Sequence, residues 1–382
     1  MDLQTLYKAV DDRQPDMLRL WADLVNCDCG FSNKAGVDAV GHYIADFLEN
    51  LQIPTRFAEF SEAGNTLIAE YGDMTKPYVI FTGHMDTVFP KGTAVKRPFL
   101  VKDGKAYGPG VLDMKGGITI LLTVIQILAE QGYQSYPIKI ILAGDEETGH
   151  RNSTAAQTFT GECQGAIAGF NFETGFRDNS IVVERKGVFQ SSFEVFGKGA
   201  HAGNAPEEGR SAIREIAHKI LDIEALTDFN AGNTCNVGVI SGGTVPNAIP
   251  DYAKIDVDVR FASEEGLTGI KSAFQRIAEK VYIEGTSTIW TEQSLCMAMP
   301  RLAKTMELFE TARRIAIESG FPDMTPIRVG GGSDSAYLAN AGVPTLCAMG
   351  VKGMGNHTTY EEADVVSLLE RTKLMLTILD KL

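Results

Sequence analysis

The stretch Ile138–Gly149, IKIILAGDEETG, constrains this chain more than any other. Its first half is apolar and rich in isoleucine, the pattern of a short strand buried on both faces of a helix-covered sheet. It then breaks into Asp145, Glu146 and Glu147, framed by Gly144 and Gly149. Three consecutive carboxylates at the C-terminal end of a buried strand repel one another. A divalent cation is the simplest group that would hold them there. The plainer alternative is a solvated acidic loop. In open α/β sheets the carboxyl ends of the strands are where ligands bind.

Two other apolar runs end in the same way. Tyr78–Gly83 runs into His84-Met85-Asp86. His84 and Asp86 lie two apart, so in extended chain both side chains project to one side. A carboxylate beside a ligating histidine fixes its tautomer and raises its basicity. Read alone, His84 is equally a structural strand-end histidine. Ala166–Phe172 ends in Glu173-Thr174-Gly175. Three apolar runs ending in His84, Glu147 and Glu173 are hard to reach by chance in a chain with six histidines. Asp113 sits in a glycine-rich turn, YGPGVLDMKGG, before the apolar segment Ile118–Gln131. It reads either as a turn or N-cap aspartate or as a carboxylate bridging two metals.

A chain of 382 residues is long enough for two domains. The net charge of -14 argues against non-specific nucleic-acid binding, which needs a basic surface. The six cysteines contain no CxxC pair and read as reduced, mostly buried thiols. The first twenty residues are too charged for a signal-peptide core, and the apolar run Ile118–Leu128 is too short to span a bilayer. The expectation is a cytoplasmic protein that uses neither nucleic acid nor membrane.

Along the chain, residues 3–26 carry helical periodicity that Pro15 interrupts or restarts, and Gly36–Leu51 is amphipathic. Strands are expected at Arg56–Phe60, Asn65–Tyr71 and Val343–Met349. Helices are expected at Leu302–Glu318 and Ser335–Asn340 and after the acidic segment Glu361–Asp364. From Ile181 the texture alternates apolar and polar residues, as in an antiparallel strand or hairpin with one open face. Helices at Gly209–Ile223 and Glu264–Glu284, strands near Thr234–Ser241 and Ala253–Phe261, and a last strand within Val281–Glu292 complete a βαββαβ order, the split-βαβ pattern. The reading is an α/β catalytic domain, residues 1–182 and 296–382, with a mostly parallel sheet flanked by helices. An α+β domain, 183–295, is inserted into it.

The segments GHMDTV, YGPGVLDMKGG, GDEETG, NFETG, GKGAHAG, DVDVR, GGGSDSAYLANAGVPT and GNHTTYEEADV occur in this order from about residue 78 to the C-terminus. Together they resemble the M20 family of di-zinc metallopeptidases and amidohydrolases, most of all its glutamate carboxypeptidase branch. The resemblance implies that His84 and Glu173 bind one zinc, Glu147 and His357 the other, and that Asp113 bridges them. It implies that Glu146 is the general base for a metal-bridged water, that Asp86 orients His84, and that the Asp113–Met114 peptide is cis. His201, Asn247 and Arg260 resemble residues for the oxyanion and the substrate carboxylate. The loop with Gly331, Gly332 and Ser333 resembles one lining the substrate cleft. Read alone, His201 is a turn histidine and Arg260 a surface arginine. His42, His150 and His218 receive no role.

Three carboxylates and two histidines suit zinc, with cobalt or manganese as alternatives. The expected reaction is cleavage of an amide or peptide bond beside a free α-carboxylate. N-acyl-amino-acid deacylation and di- or tripeptide hydrolysis are the alternatives, and a non-catalytic binding relative is the reading from another class. The expected assembly is a homodimer through the inserted domain. Where the glutamate-specific branch carries an extra arginine, this chain reads Ser294–Met299, which implies a more apolar side-chain pocket.

Overall fold

The three apolar runs are strands, and they are neighbours. In the computed structural model, which describes residues 2–382, six strands form one sheet: Thr55–Ala58 (β1), Gly64–Tyr71 (β2), Tyr78–His84 (β3), Ile138–Gly144 (β4), Ala166–Asn171 (β5) and Thr345–Leu346 (β6). Their order across the sheet is β1-β2-β4-β3-β5-β6. β3 runs parallel to both neighbours, with Phe81 level with Ile140 on β4 and with Phe170 on β5. β1 and β2 make an antiparallel edge. Every residue of β3 and β4 is buried, as continuous apolar runs require in a sheet covered on both faces.

The helix Gly116–Glu130 packs with the helices Gln14–Val25 and Val365–Lys381, and Lys34–Asn50 covers β2. Phe81 is fully buried between the rings of Phe170 and Phe172, with centroids 6.2 and 5.0 Å away. Truncating it to alanine would cost about 3–5 kcal/mol. Gly117 starts the central helix where a Cβ would lie 1.9 Å from the Phe172 carbonyl oxygen. Only glycine permits that approach, which seats the helix start against the end of β5.

The described chain divides into two compact units. The first runs to Glu184 and resumes at Met299–Val329 and Ser333–Leu382; the second comprises Arg185–Ala298 with Gly330–Gly332. In the second unit four antiparallel strands, Gly187–Phe196, Thr234–Gly242, Tyr252–Phe261 and Ser287–Cys296, lie in the spatial order second, third, first, fourth. With the helices Ala212–Glu224 and Glu264–Glu279 this is a split-βαβ sheet.

Several sequence expectations shift. The alternating stretch from Ile181 is neither one strand nor a hairpin: Ser180–Arg185 pairs with Thr325–Val329, and Gly187–Phe196 belongs to the second unit's sheet. Thr325–Val329 itself was not anticipated. The helix expected to reach Glu284 stops at Glu279, and the strand placed within Val281–Glu292 is Ser287–Cys296. The strand expected over Val343–Met349 shrinks to Thr345–Leu346, because Ala348 takes a positive φ of 71° that ends the extended run. The apolar run read as too short for a bilayer lies in the 15-residue helix Gly116–Glu130; only with the non-helical turn Val111–Lys115 ahead of it does the stretch reach the length and composition of a membrane span. Its near-complete burial marks it as a core helix.

Candidate metal centre

Parallel pairing of β4, β3 and β5 brings their C-terminal ends side by side, and with them four of the expected residues. His84 closes β3, Glu146 and Glu147 form a short turn one residue after β4, and Glu173 lies two residues beyond β5. Asp113 sits in a wide five-residue turn, Val111–Lys115, where its own dihedrals (φ -115°, ψ 95°) are not helical. The Asp113–Met114 peptide is cis. His357, at φ +62°, belongs to the loop after the short strand Gly353–Met354.

These side chains form two groups that share one residue. His84 Nε2 lies 3.2 Å from Asp113 Oδ1 and 3.6 Å from Glu173 Oε1. His357 Nε2 lies 3.3 Å from Asp113 Oδ2 and 3.2 Å from Glu147 Oε2. In each group the ligand-type atoms lie within 4.8 Å of one another. Asn356 Nδ2 donates to Asp113 Oδ2 at 2.9 Å and to Thr174 Oγ1 at 2.7 Å.

Asp86 does more than the sequence suggests. His84 Nδ1 is 3.0 Å from the main-chain oxygen of Asp86 and 3.4 Å from its carboxylate. The carboxylate also accepts the main-chain N–H groups of Glu146 and Glu147, each at 3.1 Å. Asp86 thus orients the acidic turn as well as the imidazole.

The charges are unbalanced without cations. Burial, together with the neighbouring Glu173 and Asp334 carboxylates, raises Glu146 well above the usual carboxylate range, although His84 opposes this. Burial pushes Glu147 up to about 7 despite its bond to His357. Burial would raise Asp113 too, but His357 and His84 outweigh it and hold that carboxyl very low. Asp113 and Glu147 lift His357 to about 11. Glu147 Oε1 is buried with no hydrogen-bond partner. Two imidazoles and three carboxylates, one with an orphaned oxygen, form two groups sharing Asp113 whose donor chemistry fits divalent metal ions.

The residues expected to hold substrate lie in two separate places. His201 and Asn247 come together, since Ala202 N–H bonds the Asn247 carbonyl at 3.0 Å and His201 pairs with Ala248. His201 Nδ1 accepts N–H groups from Gly203 and Asn204, both at 3.1 Å, which leaves Nε2 to carry the proton. Arg260 forks onto Asp258 at 2.8 and 3.1 Å and reaches the Gly330 carbonyl at 3.4 Å. Arg185 holds the carbonyls of Gly331 and Gly332 at 3.2 and 3.0 Å. Ser333 is fully buried, its Oγ 3.8 Å from Cys347 Sγ.

Arg260 and His201 are not brought together. Within the second unit's sheet Arg260 is level with Val188, at the start of the strand Gly187–Phe196, whereas His201 follows that strand's other end. Eight residue steps along the strand separate Val188 from Phe196, about 26 Å at ~3.3 Å per step. The apolar stretch Ser294–Met299 is also largely accounted for by packing. Leu295 and Ala298 join the second unit's core, and Met299 is buried. Its apolar character therefore says little about a side-chain pocket.

Two residues escaped the sequence reading. His150, given no role there, is buried between Asp145 and Asp334, with Nδ1 and Nε2 at 2.8 and 2.7 Å from their carboxylates. Glu361 is buried and accepts three main-chain N–H groups from the Asp113 turn. Burial pushes its carboxyl up to about 7 even so.

The profile of peptidase family M20/M25/M40 matches residues 80–381. Carboxypeptidase G2 of Pseudomonas sp. (strain RS-16) is 29% identical over 97% of this chain and 90% of its own length. A succinyl-diaminopimelate desuccinylase of Nitrobacter hamburgensis is 24% identical over 96% of this chain and 98% of its own. Among solved structures, aminopeptidase PepT from Bacillus cereus superposes with a TM-score of 0.78 at 25% identity, covering 96% of this chain and 98% of that one.

Proposed function

For a chain that belongs to peptidase family M20/M25/M40, we propose a two-metal hydrolase that cleaves an amide or peptide bond beside a free α-carboxylate, in the manner of a carboxypeptidase. The observation that carries this reading is the sharing of Asp113: one oxygen faces His84 and the other faces His357. Two zinc ions held by His84 and Glu173, and by Glu147 and His357, would supply Lewis acidity, polarising the scissile carbonyl and making water nucleophilic at neutral pH.

The chain's own residues supply the rest. Glu146, beside ligand Glu147 and pinned at its main chain by Asp86, takes the proton from the attacking water and returns it to the leaving amine. Its raised proton affinity suits a group that must both accept and donate. His201, with the proton on Nε2, is the proposed donor to the developing oxyanion. Arg260 is the proposed fork for the substrate carboxylate. Because Arg260 lies at one end of the second unit's four-stranded sheet and His201 in a separate strand pair beyond its other end, we assign His201 and Asn247 to the site of a second copy in a homodimer.

Deacylation of an N-acyl amino acid is the second reading, and likeness to a desuccinylase favours it. The deciding experiment is a screen of N-acyl amino acids, dipeptides and tripeptides with zinc, cobalt or manganese supplied to chelated protein. Turnover confined to C-terminal amino-acid release supports the carboxypeptidase reading. Release of small acyl groups alone supports the deacylase. Wild-type protein that takes up no metal and turns over none of these sinks both.

A further inference from the structure

We propose that Glu361 is a positioning residue for the second metal position, holding the Asp113 turn and the His357 segment in one geometry. The inference rests on the two-metal reading above.

The turn around Asp113 leaves three main-chain N–H groups without partners in its own backbone ladder. All three converge on one side chain. Gly110 N–H reaches Glu361 Oε2 at 2.9 Å, and Leu112 and Asp113 N–H reach Oε1, each at 2.9 Å. Such a group must be acceptor-only, because a donor atom there would face a donor. A carboxylate offers two acceptor oxygens and no hydrogen. Glu361 is fully buried, so water does not compete for these bonds.

Strand pairing places Glu361 there. Residues Glu362–Asp364 pair antiparallel with Lys105–Tyr107, just ahead of the Asp113 turn. Four residues before Glu361 lies His357, and one before that is Asn356, which bonds Asp113 Oδ2. The segment 356–361 therefore carries one proposed ligand, a donor to the bridging carboxylate and the anchor of its main chain. His84 and Glu173, by contrast, are set by strands β3 and β5 and gain nothing directly from Glu361. The group of Asp113, Glu147 and His357 depends on Glu361 for two of its three members. The other group depends on it for one.

The test is calorimetric titration of chelated wild type and Glu361→Gln with zinc against a competing chelator, alongside Leu379→Ala as a core truncation remote from the site. Glutamine keeps the size but turns a donor onto the N–H cluster. Wild type should take two ions. Glu361→Gln should bind the first within about threefold of wild type and the second about 10–100-fold more weakly, the usual effect of losing a residue that supports a ligand. Leu379→Ala should keep both affinities at any melting temperature. Unchanged binding in Glu361→Gln, equal weakening of both ions, or the same pattern in Leu379→Ala overturns the proposal. If Glu361→Gln does not fold, Glu361→Asp, whose shorter reach breaks the same bonds, is read by the same criteria. Wild type that fails to bind two ions overturns instead the two-metal reading.

Discussion

His150 and Asp334, 184 residues apart in the chain, meet at 2.7 Å in a buried contact whose other side is closed by Asp145 at 2.8 Å. One imidazolium thereby ties the loop before the helix Ser335–Asn340 to the residue directly ahead of Glu146.

Removing that imidazole leaves two buried carboxylates facing each other. His150→Ala should lose about 3–5 kcal/mol of folding stability, the usual consequence of stripping one partner from a buried ion pair. Burial opposes the charge on His150, but Asp334 and Asp145 outweigh it and raise its proton affinity well above the ordinary histidine range. A raised folded-state value contributes stability that is complete below about pH 6.5 and fades as pH climbs through the folded value. Urea denaturation of chelated wild type and variant across pH should show the widest gap in the acid-to-neutral range and a narrower one in alkali. A gap that widens with pH contradicts the assignment.

Glu146→Gln should leave metal content near the wild-type value while kcat falls by ~10²–10⁴-fold, as for loss of a general base. Metal analysis and steady-state kinetics on the same sample decide it. Loss of an ion together with activity would make Glu146 a ligand.

Metal uptake should release protons. At pH 7.5 the chelated protein holds His357 protonated, because Asp113 and Glu147 lift it to about 11, and burial lifts Glu147 to about 7. Ligation needs the neutral imidazole and the free carboxylate. Affinity should therefore rise with pH, by about tenfold per unit for each proton displaced. Calorimetry in two buffers of different ionisation enthalpy reads the release directly, and identical heats in both would contradict it.

Arg260→Ala should raise KM for substrates with a free α-carboxylate and leave kcat less affected. His201→Ala should lower kcat by ~10²–10³-fold as an oxyanion donor. Mixing inactive His201→Ala with inactive Glu146→Gln should restore activity through hybrid dimers, since each hybrid has one intact combination. No recovery after verified subunit exchange would place His201 in its own chain's site or in none.

The centre was legible where chemistry coincided with local pattern. His84, Glu147 and Glu173 each follow an apolar run, and parallel neighbours align such ends without further information. For Asp113 the glycine-rich turn left a capping and a bridging reading open, and only the family resemblance chose between them; His357 rested on that resemblance alone, because neither a wide turn nor a positive φ leaves a periodic signal. Glu361 was hidden among look-alikes. In the acidic segment Glu362 and Asp364 pair with the half-exposed Arg177, while only Glu361 turns inward, a difference set by pairing with Lys105–Tyr107. His150 was passed over because its decisive partner lies far along the chain. Val343–Met349 misled because an apolar run does not reveal a single residue, Ala348, in the left-handed region.

The interruption of the first unit by Arg185–Ala298 sets an order of assembly during synthesis. A ribosome that has made residue 173 has already delivered His84, Asp113 and Glu173, one complete group of candidate ligands, together with Glu147. It must then add 184 more residues before His357 exists and four further ones before Glu361 does. At ~5–20 residues per second that is a wait of roughly 10–40 s. Through this interval the nascent chain holds one finished group of candidate ligands and one unfinished. The missing components, His357 and Glu361, arrive almost together, so the second candidate group is completed and braced in one late event.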